Sequence, residues 1–90
     1  MSEASRTVEI VNRRGLHARA SAKFVTIASA QSVEITVEKD GSSVTGTSIM
    51  GLMMLGAAKG DSITIKARGE GADTAVEELA ALVAGRFGED

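Results

Sequence analysis

Val33-Glu34-Ile35-Thr36-Val37-Glu38-Lys39-Asp40-Gly41-Ser42-Ser43-Val44-Thr45-Gly46 decides the fold class of this 90-residue chain. Val33, Ile35 and Val37 alternate with Glu34, Thr36 and Glu38, the period of a strand with one buried and one wet face. Asp40-Gly41 follows, a pair favoured in tight hairpins because both central residues of the turn need positive φ. Ser43 to about Gly46 is the return strand, short and weakly apolar, in the manner of an edge. A sheet with one apolar face must have that face covered by other elements.

Those elements are legible on either side. Before the hairpin, Val8 and Ile10 alternate with polar neighbours over Thr7 to Val11, a first strand. From Ala18 to about Ala30 the period lengthens, placing Leu16, Ala20, Phe24, Ile27 and Ala28 on one helical stripe. After the hairpin, Thr47-Ser48 precedes the apolar run Ile49 to Leu55, a short helix ended by Gly56. Asp61 to Ala67 reads as a strand with Ile63 and Ile65 inward, and Gly69-Glu70-Gly71 as a turn. Asp73-Thr74 opens a last helix, Thr74 and Glu77 fit a capping box, and Val76, Leu79, Ala80, Val83 and Phe87 form its buried face. The order is strand, helix, strand, strand, helix, strand, helix. Without repeat or linker, residues 1–90 are expected to form a single domain.

Composition removes several chemistries. The chain has no cysteine and one histidine, so thiol catalysis and a conventional zinc site are not expected. No metal or cofactor is expected. The N-terminal residues carry no apolar run and no segment approaches the roughly 20 apolar residues of a membrane span, so a cytoplasmic protein without membrane insertion is expected. With no Trp or Tyr and only two Phe, aromatic platforms for bases are nearly absent, which argues against nucleic acid. Ten basic residues face twelve acidic ones. The basic ones cluster: Arg13, Arg14, Arg19 and Lys23 occupy a stretch without a carboxylate, a local field that would steer an anion.

His17 lies in that stretch, between Gly15 and the start of the first long helix. One reading makes it a capping or partly buried residue without chemistry. The other makes it a nucleophile. A helix N-terminus offers unpaired N–H groups to an anion and favours the neutral imidazole over the cation. Arg19, two residues on, would offer a guanidinium to a phosphate. Reversible phosphoryl transfer suits such a site, because positioning and electrostatics supply most of its catalysis. No carboxylate lies near His17 in sequence to serve as base for hydrolysis, which favours a carrier over a phosphatase. Ser48 also has two readings, as helix N-cap and as a phosphorylation site whose added charge would fall beside apolar residues. Leu52 and Leu55 suffice to anchor that short helix, leaving Ile49, Met50 and Met53 to form an adaptable docking patch.

Gly15-Leu16-His17-Ala18-Arg19 and Ser48-Ile49-Met50-Gly51-Leu52-Met53-Met54-Leu55-Gly56 closely resemble the two signatures of the HPr family, the histidine-containing phosphocarriers of the bacterial phosphoenolpyruvate-dependent phosphotransferase system. The resemblance runs from about Thr7 to Phe87. It implies an α+β open-faced sandwich, βαββαβα, with a four-stranded antiparallel sheet and three helices on one face. It implies that His17 takes phosphate on Nδ1 from phospho-enzyme I, with Arg19 supporting it, and passes it to an enzyme IIA-type acceptor. Ser48 falls at the family's regulatory serine, a substrate of HPr kinase/phosphorylase in some bacteria, and Ile49, Met50 and Met53 fall where partners dock. Three positions depart from the common pattern: Ala20 replaces a proline, Thr47 a basic residue, and Gly51 a lysine. The form Asn12-Arg13-Arg14-Gly15-Leu16-His17-Ala18-Arg19-Ala20 resembles the nitrogen-related, regulatory branch.

The expected function is therefore a monomeric phosphocarrier, with a phosphohistidine intermediate rather than independent catalysis. A regulatory binding module using the Ser48 helix without phosphoryl transfer is the alternative. An RNA-binding α/β domain using Arg13, Arg14 and Arg19 is a third and poorer reading.

Overall fold

The computed structural model describes residues 2–89; Met1 and Asp90, included in the expected domain range, lie outside the described residues. Strands β1 (Glu3–Glu9), β2 (Glu34–Lys39), β3 (Ser42–Thr45) and β4 (Ser62–Arg68) form one sheet. Helices α1 (Ala18–Ser29), α2 (Ile49–Met54) and α3 (Ala72–Ala84) cover one face of it, followed by a short turn at Arg86–Gly88. The sheet order is β1-β4-β2-β3, with every neighbouring pair antiparallel. β4 thus lies between β1 and β2, and β3 is the edge that its weak apolar pattern indicated. This is the α+β open-faced sandwich expected.

The alternation in the hairpin has the consequence expected of it. Ile35 and Val37 point into the core with Ile63, Ile65 and Ala67 of β4. Glu34, Thr36 and Glu38 share the opposite, uncovered face with Lys66 and Arg68, where Lys66 pairs with Glu38. Asp40 and Gly41 both have positive φ, 49° and 85°, as the tight turn demands. Phe24 from α1, Leu52 from α2, and Leu79 and Val83 from α3 are fully buried against the sheet. Each such side chain contributes roughly 1.5–3 kcal/mol by leaving water.

Three boundaries differ from the sequence reading, each for a tertiary reason. β1 spans Glu3–Glu9 rather than Thr7–Val11, because β4 supplies backbone partners along its whole length, from Glu3 opposite Arg68 to Glu9 opposite Ser62. Ile10, just past the strand, still exchanges backbone bonds with Gly60 and Asp61 and is buried in the core. α3 begins at Ala72, capped by Gly71 at φ 91° with no side-chain bond. Thr74 and Glu77 therefore lie inside the helix instead of forming a capping box, and Glu77 pairs with Arg6. Phe87 is fully buried as expected, but it lies beyond the end of α3.

Candidate functional site

The segment leading into α1 is held from beneath. Asn12 is fully buried, and its amide Nδ2 donates to the Gly15 carbonyl at 2.9 Å. Gly15 has φ +65°, and a β-carbon there would collide with the Ala57 carbonyl. That carbonyl accepts from the Leu16 N–H at 3.0 Å, tying the segment to the chain just after α2. Glycine is required here for both space and conformation. Leu16 is buried, so the backbone is pinned immediately before His17.

His17 is the N-cap of α1, with extended backbone at φ −75° and ψ −179°. Its Nδ1 accepts from the Arg19 backbone N–H at 3.2 Å. Its Nε2 lies 2.6 Å from Oε2 of Glu89. An amide N–H only donates and a carboxylate only accepts, so the ring proton belongs on Nε2 and Nδ1 carries a lone pair. The His17 side chain is 23% exposed and that of Glu89 is 17% exposed, leaving the ring reachable from solvent on one side.

Glu89 arrives through the segment after α3. Arg86, Phe87 and Gly88 have φ of 59°, 54° and 75°, three successive residues in the left-handed region. Two of them carry side chains, for which this region costs roughly 1–2 kcal/mol each. Burial of Phe87 and a 2.6 Å bond from Lys23 Nζ to the Phe87 carbonyl hold the turn. Oε1 of Glu89 then accepts from Asn12 Nδ2 at 3.1 Å. Burial pushes the Glu89 carboxyl upward. Hydrogen bonds from Asn12 and His17, with the charges of His17 and Lys23, outweigh it and hold the group below its ordinary value.

Arg13, Arg14 and Arg19 ring this pair, and with His17 and Glu89 they line a depression of about 350 Å³. Lys23, which the sequence grouped with these arginines, instead turns to the Phe87 carbonyl. A larger depression of about 540 Å³ lies on the uncovered sheet face, lined by Glu3, Glu34, Glu38, Lys66 and Arg68 among others. Among the described residues its lining comes from strands alone and includes no histidine. At His17, by contrast, a ring nitrogen accepts from a backbone N–H at a helix N-terminus, in a depression lined by three arginines.

Ser48, and not Thr47, is the N-cap of α2: its Oγ accepts from the Gly51 N–H at 2.9 Å. Leu52 and Leu55 are buried, whereas Ile49, Met50 and Met53 are exposed. Met54, which the sequence reading left out of the patch, is 78% exposed. A six-residue helix with one face on the core leaves its remaining sides to solvent. α2 packs against α1, so patch and histidine belong to adjoining elements. The sequence reading also missed Asn12 and Glu89. The expectation that no carboxylate attends His17 holds along the chain but not in space, where Glu89 lies 72 residues away in sequence.

Residues 4–85 match the family described as "PTS HPr component phosphorylation site". The phosphocarrier protein HPr of Neisseria meningitidis serogroup A is 49% identical over 83 residues, covering 92% of this chain and 93% of its own. The phosphocarrier protein NPr of Shewanella violacea is 38% identical, covering 99% and 98%. A crystal structure of HPr from Thermoanaerobacter tengcongensis superposes with a TM-score of 0.90 at 43% identity, over 100% of this chain and 99% of that one. Fold, helix-capping histidine and sequence likeness converge: the chain belongs to the HPr family of phosphotransferase-system phosphocarriers.

Proposed function

We propose that this protein carries a phosphoryl group on Nδ1 of His17, accepting it from phospho-enzyme I and passing it to an enzyme IIA-type acceptor. The observation that supports this most is the state of Nδ1: unprotonated, at a helix N-terminus, beside an arginine-lined depression. On transfer the Nδ1 lone pair forms the N–P bond. The bond from phosphorus to the donor breaks, and its electron pair returns to the donor atom. The Arg19 N–H, which now donates to Nδ1, is then free to donate to a phosphoryl oxygen, and the Arg19 guanidinium adds a second charge-assisted contact. The protein works as a carrier rather than an independent catalyst, as a cytoplasmic monomer of one domain over residues 1–90.

Ile49, Met50 and Met53, extended by Met54, form the surface on which both partners dock. Ser48 is a regulatory phosphorylation site for a kinase of the HPr kinase/phosphorylase type. A phosphate there could keep accepting the Gly51 N–H while placing charge against the methionines.

Incubation with enzyme I and phosphoenolpyruvate should yield one acid-labile, alkali-stable phosphate per chain, absent in His17→Ala. Equal labelling of that variant would refute the carrier reading. It would favour a regulatory module working through the Ser48 helix alone, whose partner binding His17→Ala leaves intact.

A further inference from the structure

Sulfur in this protein is concentrated on one surface. The chain has no cysteine and four methionines, and three of these, Met50, Met53 and Met54, fall within five consecutive positions of α2. Among the described residues no methionine belongs to the core. Met54 is 78% exposed, Met50 70% and Met53 43%. Met50 and Met54, four residues apart, lie on the same side of the helix, and Met53 flanks them. The phosphoryl transfer described above uses these side chains only as apolar contact area and leaves the chemistry of their thioethers unused.

What holds α2 in place is separate from its methionines. Leu52 and Leu55 are buried, and the Ser48 Oγ accepts from the Gly51 N–H to cap the helix. Beyond Leu55 the chain reaches Ala57, whose carbonyl accepts from the Leu16 N–H and supports the loop before His17. A change of polarity at the outer sulfurs therefore reaches neither the core nor the histidine. It reaches the docking surface alone. A thioether is a soft two-electron donor, and oxidation turns this flexible apolar side chain into a polar one. Burying a sulfoxide oxygen against an apolar partner, with no donor to meet it, costs affinity that the thioether does not.

We propose that Met50 and Met54 form a reversible oxidation site through which hydroperoxides uncouple this carrier from its partners. The sulfur lone pair attacks one oxygen of the peroxide. An S–O bond forms, the O–O bond breaks, and its electron pair leaves with the departing oxygen. With hydrogen peroxide as oxidant, the proton of the transferred oxygen passes to the departing one, which leaves as water. Sulfur is oxidised by two electrons and the peroxide is reduced by two. Thiol-dependent methionine sulfoxide reduction reverses the step and removes the oxygen as water. The sulfoxides put polar oxygens on the patch, docking weakens, and His17 keeps its chemical competence. Met53, less exposed, follows more slowly. This inference rests on the docking role given to α2 above.

The test uses the full chain as wild type, Met50→Leu/Met54→Leu and His17→Ala, before and after hydrogen peroxide treatment with the oxidant then removed. Peptide mapping of treated wild type should find one oxygen on Met54 and one on Met50 ahead of Met53. Enzyme I-dependent phosphorylation of that sample should show KM for the carrier raised about tenfold at unchanged kcat, the effect of losing a central apolar contact. Methionine sulfoxide reductases with a thiol reductant should restore it. The leucine variant, compared only with its own untreated sample, should lose at most about threefold. Labelling of wild type by phosphoramidate, a small donor that needs no docking surface, should be the same before and after oxidation, and so should thermal melting. If mapped sulfoxides leave KM unchanged, or the leucine variant loses as much as wild type, the oxidation site is wrong while the carrier reading stands. A fall in phosphoramidate labelling or melting temperature also overturns it, since the damage then lies in the site or the fold. Untreated Met50→Asp separates the docking role from the oxidation: a wild-type KM there removes both, whereas a raised one beside inert sulfoxides removes only the oxidation site. Enzyme I labelling of His17→Ala equal to wild type would remove the carrier reading and this inference with it.

Discussion

The carboxylate of Glu89 lies 2.6 Å from Nε2 of His17 across a sequence separation of 72 residues. The contact joins the last turn of the chain to the cap of its first helix. It makes the histidine one member of a hydrogen-bonded row, Asn12 to Glu89 to His17, that ends at the Arg19 N–H. The Asn12 amide N–H and the Arg19 N–H only donate and the Glu89 carboxylate only accepts, so the position of the ring proton on His17 follows from its neighbours in the row.

Because Glu89 is held below its ordinary value of 4.5, its ionised form is favoured by folding. Its contribution to stability is complete above that value and fades as pH falls through the lowered one. Urea denaturation should find wild type more stable than Glu89→Gln at neutral pH, with the gap closing as pH falls below 4.5 and through the lowered value. A gap that stays constant across this range would show that the charge is immaterial.

Gly15→Ala should cost about 2 kcal/mol or more, since φ +65° disfavours alanine and the new methyl meets the Ala57 carbonyl. The same change should slow phosphorylation, because relief of the clash moves the backbone that carries His17. Thermal melting and labelling rates measure the two effects. Wild-type values in both would dissociate this glycine from the site.

Phe87→Ala should destabilise by roughly 3–5 kcal/mol, the usual range for emptying a fully buried aromatic position. It should also release the left-handed turn and, with it, the Glu89 contact. The His17 Nε2 proton signal should weaken at temperatures where the variant remains folded. Its persistence at full strength would mean that Phe87 does not anchor the tail.

Ser48→Ala should lower stability by ~1 kcal/mol through loss of the cap to Gly51, whereas Ser48→Asp should retain most of it. Equilibrium unfolding of the two variants separates capping from any effect of charge. Equal loss in both would indicate that the cap bond contributes little.

Met50→Asp, at a position 70% exposed, should change stability by no more than about 0.5 kcal/mol. Its binding to enzyme I should nevertheless weaken about tenfold, the effect expected of a central apolar contact. Titration calorimetry measures this. Unaltered affinity would place the docking surface elsewhere.

Element type and order could be read from local pattern, because period and turn chemistry act between near neighbours. The alternation in Val33 to Val37 and the Asp40-Gly41 turn marked the hairpin, and the stripe through Ala20 and Phe24 marked α1. The start of β1 at Glu3 could not be read this way, since polar residues there are ordered by backbone bonds to β4. The cap of α3 was misread for a similar reason. Gly71 in the left-handed region starts the helix as the chain leaves β4, before Thr74 can act.

The candidate site divides along the same line. His17, Arg19 and Ser48 lie beside glycine, cap and helix signals, and their part of the chain carries the HPr signatures; all of this is local chemistry that the sequence determined by itself. Tertiary structure alone decided that Met54 joins the exposed patch, that Lys23 serves the tail instead of the anion site, and that Asn12 and Glu89 meet His17. No periodicity links positions 12, 17 and 89. Their meeting depends on α3 packing across the sheet and on Phe87 being buried strongly enough to hold a left-handed turn, and both are set by long-range burial rather than by neighbours in the chain.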